Sequence, residues 1–272
     1  MSSDQRFRID RIGAGERREE WRRALGAFLP EETLKKEGAA WVYRGRMLGR
    51  EVVVKVRELR SLADRLKVAL GAGRGRRHWR GASWLLEHGF ATARPLVLAM
   101  ERGSAAREWL VMEALPGASL LRHIADADLG VREQHGLARA VGRQVAALCA
   151  AGRFNRDHKP SNLIVSRRGG EFVVSIIDCV AIRRGRDGAV RMLHALAVEP
   201  TGLRILPRRA VLARVIAAVV EAEYGGRDRR EAKSAMRGAR RAYWGLVMES
   251  LRRHGDATPR TNPLAPGPSA LR

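Results

Sequence analysis

The feature that most constrains this chain is a pair of apolar runs, Leu163-Ile164-Val165 and Phe172-Val173-Val174-Ser175-Ile176-Ile177, on either side of Gly169-Gly170. Two β-prone runs around a glycine pair predict an antiparallel hairpin. The residues at its open end give that hairpin its interest. The polar octet Asn155-Arg156-Asp157-His158-Lys159-Pro160-Ser161-Asn162 leads into the first run, and Asp178 closes the second. The two open ends of an antiparallel pair lie side by side, so Asn162 and Asp178 are expected to be neighbours. Asp, Asn, Pro and Ser all favour turns, but a simple polar turn does not account for the strands attached to it.

The pattern suits phosphoryl transfer from ATP. A carboxylate at Asp157 can orient a hydroxyl and take its proton as the P–O bond forms. Lys159 can neutralise the transferring phosphoryl group. Asn162 and Asp178 offer hard oxygen donors of the kind Mg2+ takes. Upstream, Val52-Val53-Val54-Lys55 reads as a strand, and a lysine held by a strand can pair with the α- and β-phosphates. Outside this context Lys55 is an ordinary strand lysine.

Residues 1–32 are expected to form a charged helical lead-in, with Trp21, Leu25, Phe28 and Leu29 at helical spacing. Strands are predicted at Ala39–Arg44 and Glu51–Val56, joined by a turn over Arg44–Met47, and again at Leu96–Glu101 and Trp109–Glu113. Helices are predicted over residues 58–70, Arg77–Glu87, Leu120–Ile124 and Arg132–Ala151, with Gly71–Gly75 as a flexible basic loop. The Pro- and Ala-rich Thr258–Pro268 stretch is read as disordered.

Several segments resemble the protein-kinase-like superfamily. The octet is similar to its catalytic loop, Val52–Lys55 to its third-strand lysine motif, and Trp109-Leu110-Val111-Met112-Glu113-Ala114-Leu115-Pro116-Gly117-Ala118-Ser119-Leu120 to its fifth strand and hinge. Within the superfamily the chain most resembles the lipopolysaccharide core kinases, which phosphorylate Kdo or heptose. His78-Trp79 with Leu85-Leu86-Glu87-His88-Gly89-Phe90-Ala91-Thr92-Ala93-Arg94-Pro95 is similar to that family's helix-then-Gly-x-x-Thr segment. The stretch after Asp178 is also short for a usual activation segment and full helical lobe. Composition leaves 255–272 as a disordered tail, and the resemblance implies an α+β, protein-kinase-like bilobal fold, with a sheet-rich N-lobe over 33–115 and a reduced helical C-lobe over 116–254. It implies ATP and Mg2+ as cofactors, Met112 as gatekeeper, and adenine against the backbone of Glu113 to Leu115. The chain departs from the superfamily pattern in having no G-x-G-x-x-G, in His78 where a helix glutamate is usual, and in Cys179-Val180 after Asp178.

A formal charge of +23 over 272 residues implies an anionic partner. Aromatic residues are only 5% of the chain, too few for the stacking platforms of a single-strand binder, and no nucleic-acid fingerprint is present, so nucleic acid is not the expected partner. The resemblance implies an anionic glycolipid or saccharide acceptor instead, with peripheral contact to an acidic membrane surface at the inner face of the cytoplasmic membrane. An arginine-rich, solvated surface is the plainer reading of the same charge. Cys149 and Cys179 lie in apolar stretches, as expected of reduced thiols in a cytoplasmic protein. No apolar segment follows the charged Gln5–Arg11, so a secretory signal is not expected. Three alternatives stay open: a protein or small-molecule acceptor, a nucleotide-binding pseudokinase, and a module that binds anionic surfaces without catalysis.

Overall fold

The computed structural model describes residues 6–103, 105–126, 129–185, 188–205, 209–224, 229–254 and 262–264. Contacts divide the chain into two compact units, one ending at Leu115 and one running from Pro116 to Leu264.

The first unit is built on a six-stranded antiparallel sheet in the order β1-β5-β6-β4-β3-β2. Its strands are β1 (Phe7–Ile12), β2 (Glu32–Glu37), β3 (Ala40–Met47), β4 (Arg50–Glu58), β5 (Pro95–Glu101) and β6 (Arg107–Glu113). Alternation along β4 sends Val52, Val54 and Val56 to one face, where they join Phe7, Trp21, Leu25, Val97, Trp109 and Val111 in a core. Helix α1 (Arg18–Gly26) supplies Trp21 and Leu25 to that face. Glu16 steadies the helix start, accepting from the Trp21 indole at 2.9 Å and from both terminal nitrogens of Arg50. The opposite face carries Val53, Leu98, Leu110 and Met112 against Trp79 of helix α3 (Arg74–Glu87). Helix α2 (Leu62–Ala69) precedes α3 and starts at Ser61, whose hydroxyl accepts the Asp64 amide.

Three expectations are corrected, and one strand is added. The lead-in is not wholly helical, because Phe7 and Ile9 alternate with polar residues and β1 pairs with β5. The charged Glu32–Glu37 segment, for which no strand is predicted, pairs with β3 as an edge. The hairpin between β3 and β4 turns at Leu48-Gly49, both at positive φ, and not over Arg44–Met47. The glycines after α2 belong to a close approach rather than a flexible loop. The Gly75 amide donates to the buried Glu108 carboxylate at 2.8 Å, and a Cβ on Gly73 or Gly75 would fall 2.8 Å from Glu108 atoms. Burial raises the Glu108 pKa.

The second unit combines β7 (Ala118–Ser119), α4 (Leu120–Asp126), α5 (Val131–Ala150), β8 (Arg153–Asn155), β9 (Leu163–Arg168), β10 (Glu171–Ile176), β11 (Ile182–Arg184), α6 (Gly188–Gly202), α7 (Arg209–Tyr224) and α8 (Arg229–His254). Its core holds Leu121, Val145, Leu148, Leu163, Ile176, Met192, Leu193, Ile216 and Val219. Helices α5 and α7 meet closely at Gly142, where a Cβ would lie 2.5 Å from the Val215 carbonyl oxygen. The two cysteines are free thiols; Cys179 is buried as expected, whereas Cys149 is only partly covered. Most of the expected tail over 255–272 lies outside the described residues. No described helix is long and apolar enough to cross a membrane.

Candidate active site

The expected hairpin forms, with Asn162 opposite Ile177 and Asp178 one residue further on. Strands β9 and β10 pair antiparallel from Leu163↔Ile176 to Arg168↔Glu171, and Gly169 and Gly170 turn the chain at φ 57° and 82°. Two consecutive left-handed residues make the tight turn that glycine permits and bulkier residues resist. Pairing continues one step past the strands, with the Ile177 amide donating to the Asn162 carbonyl at 3.0 Å. Asp178 therefore follows directly on a residue bonded to Asn162. A third strand, β7, adds to β9 with Ala118 opposite Val165. Gly117 before it, at φ 105°, passes so close that a Cβ would sit 2.0 Å from the Val165 carbonyl oxygen.

The loop before β9 alternates buried anchors with partly exposed functional groups. Asn155 is fully buried at the end of β8, and its Oδ1 accepts the Asp157 amide at 3.1 Å. That short turn lifts Asp157 outward, leaving its side chain 44% exposed. His158 then turns inward and is fully buried, and desolvation lowers its pKa to about 4, so the ring is neutral at neutral pH. Lys159 faces out again. Its Nζ lies 3.8 Å from Asp157 Oδ1 and 4.0 Å from Glu199 Oε1, so it stands between two carboxylates.

Asn162 closes the loop on itself. Its Nδ2 donates to the Asp157 carbonyl at 3.0 Å and to Asp157 Oδ2 at 3.1 Å. With its nitrogen committed to Asp157, the amide presents its oxygen at the other end. Asp178 is partly buried, and its Oδ1 is shielded from solvent. An amide oxygen and a carboxylate fit Mg2+, which takes one or two protein oxygens and completes its shell with phosphate and water. Among the described residues no cluster of three or more His, Cys, Asp or Glu side chains is poised to hold a metal.

Glu199 was not foreseen. It lies on α6, only 4% exposed, and accepts both the Ser161 amide at 2.8 Å and the Ser161 hydroxyl at 2.6 Å. The available signal was one carboxylate inside the apolar stretch Ala195-Leu196-Ala197-Val198 and Pro200. Acidic side chains are rarely buried without partners, but the sequence could not say which partner.

The remaining expected residues lie in the first unit. Lys55 is half-buried on β4, paired with Leu110 and on the same face as Val53 and Met112. Met112 is 1% exposed. The Glu113 and Ala114 amides donate to the Arg94 and Glu51 carbonyls at 3.0 and 3.1 Å, and Leu115 follows half-buried. His78 is buried on α3.

An antiparallel sheet unit, followed by a unit with this loop, hairpin and helices, defines an α+β fold of the protein-kinase-like class. The chain belongs to the lipopolysaccharide kinase (Kdo/WaaP) family, whose model matches residues 18–188, well over half of its length. It is accordingly a kinase of lipopolysaccharide. The match includes the whole octet and Asp178 but stops short of Glu199. A search of curated proteins returned no match.

Proposed function

We propose that this protein transfers the γ-phosphoryl group of ATP to a hydroxyl of a lipopolysaccharide core sugar, Kdo or heptose. The observation that carries the reading is the hydrogen-bonded series from Asp157 through Asn162 to Ile177, which ties the acid-bearing loop to the strand end bearing Asp178. Asp157 is assigned to the acceptor hydroxyl, which it orients and from which it takes the proton. Lys159, whose Nζ lies 3.8 Å from Asp157 Oδ1, is assigned to the transferring phosphoryl group. Asn162 and Asp178 are assigned to magnesium, which when bound neutralises charge on the β- and γ-phosphates. In the first unit, Lys55 is assigned to the α- and β-phosphates. Met112 and the backbone of Glu113 to Leu115 are assigned to adenine. The amides of Glu113 and Ala114 are already used within the fold, which narrows the hinge donors for adenine to Leu115.

The deciding measurement is ATP turnover by the purified full chain on core saccharide bearing Kdo and heptose, with Mg2+, for wild type and Asp178→Ala. Phosphorylated sugar with wild type and loss of turnover in Asp178→Ala support the reading. Equal turnover in both overturns the magnesium assignment. Binding of Mg2+-ATP without turnover on either sugar overturns the proposed reaction and favours a pseudokinase.

A further inference from the structure

Helix α2 shows an unusual outer surface. Leu62, Leu66 and Leu70 are 82%, 60% and 74% exposed, which makes them three of the most exposed large apolar side chains among the described residues. They recur at i, i+4 and i+8, so they form a single stripe along the helix, roughly 80° wide at 100° per residue. Ala63 and Ala69 extend its two margins and are exposed as well. Exposed Arg65 and Lys67 fall on opposite flanks of the stripe, each about 60° beyond its edge. The inner side is held independently of the leucines. Val68 is buried, Asp64 accepts from Arg57 at 2.9 Å, and Ser61 caps the first turn.

A row of leucines facing water gains nothing in a free monomer, and three in line exceed the scattered apolar residues normal on a surface. The flanking cations point to what covers it. An apolar stripe with a basic side chain on each side is the arrangement of a helix lying in the interfacial plane of a membrane. The leucines enter the acyl boundary, and the Arg and Lys stems reach back to lipid phosphates. From Arg60 to Arg80 the chain carries seven Lys or Arg against one acid, Asp64, a balance suited to an anionic surface. The stripe lies on a convex helix rather than in a groove, a shape that inserts into a soft phase more readily than it receives a rigid partner.

We propose that α2 docks this protein on an anionic lipid membrane, with Leu62, Leu66 and Leu70 as the inserted residues and Arg65 and Lys67 as the headgroup contacts. The inference deepens the function proposed above by naming the surface on which a lipid-linked acceptor is met. It rests on that reading only for the biological need of a membrane.

The test is flotation of the full-length protein with vesicles of phosphatidylcholine alone or with phosphatidylglycerol, at low and high salt. Wild type, Leu62→Ser/Leu66→Ser/Leu70→Ser and Arg65→Gln/Lys67→Gln are compared. Each variant is first checked by circular dichroism and by turnover on soluble, delipidated core saccharide. The expected result is salt-sensitive binding of wild type to phosphatidylglycerol vesicles, reduced about tenfold or more by the leucine triple variant and less by the charge pair. Equal binding by wild type and the folded leucine variant overturns the proposal. So does a wild-type dimer that disperses in that variant without any vesicle binding, or retention by an acidic protein with vesicles ignored. Vesicle binding without saccharide turnover leaves docking standing and removes the kinase reading; the reverse removes docking alone.

Discussion

Glu199 on α6 holds Ser161 by both its amide and its hydroxyl, at 2.8 and 2.6 Å. The contact couples a residue beyond the family match to the middle of the loop that carries Asp157, Lys159 and Asn162. Replacing Glu199 with Ala leaves a part-buried amide and hydroxyl without this acceptor, at an expected cost of about 1–3 kcal/mol. Urea unfolding should show that loss, and turnover should fall with little change in the KM for ATP. Glu199→Gln, which keeps an acceptor for one of the two bonds, should recover part of both. Wild-type stability and turnover in Glu199→Ala would remove its positioning role.

Asp157→Asn keeps the size and an oxygen for the Asn162 contact but cannot take a proton. Turnover should fall by roughly 10²–10⁴, while ATP binding measured by calorimetry stays near wild type. A fall of less than about tenfold would show that Asp157 is not the base.

Gly117 and Gly89 separate crowding from backbone strain. Both have positive φ, 105° and 75°, but a Cβ on Gly117 meets the Val165 carbonyl oxygen at 2.0 Å, whereas one on Gly89 meets nothing within 4 Å. Gly89→Ala should cost about 1–2 kcal/mol from the left-handed conformation alone. Gly117→Ala should cost clearly more, because β7 must also move away from β9. Similar melting temperatures for the two variants would contradict the close approach.

His158 supplies a pH signature. Burial lowers its pKa from 6.5 to about 4, so the unfolded chain binds its proton at a higher pH than the folded one. Its stabilising contribution is complete above pH 6.5 and is lost as pH falls towards 4, in total roughly 3 kcal/mol. Denaturant unfolding at pH 7.5, 5.5 and 4.5 should show a steeper acid loss in wild type than in His158→Leu. Parallel curves would place the ring in contact with water.

The hairpin could be read from sequence because every device that makes it is local: β-prone runs, a glycine pair and polar residues at the open end. Its register is held by packing, since slipping by one residue would expose Leu163 and Ile176, both fully buried. Strand β1 was missed although Phe7 and Ile9 alternate with polar residues, because the charged residues around them dominate so short a run. Strand β2 carries no such signal. Five of its six residues are exposed, and its identity lies in backbone bonds to β3.

By itself, the sequence determined the chemistry on offer: which acid, lysine, amide and second acid are present, and which two ends a hairpin brings side by side. Those follow from spacing and strand period. Only the tertiary structure decided that Asn155 and His158 turn inward to raise Asp157 and Lys159, that Glu199 reaches Ser161 across 38 positions of chain, and that Leu62, Leu66 and Leu70 face outward. An apolar residue at helical spacing reads the same whether its face meets a core or water. Which it meets depends on what packs beside the helix, and that is settled by residues far away in sequence.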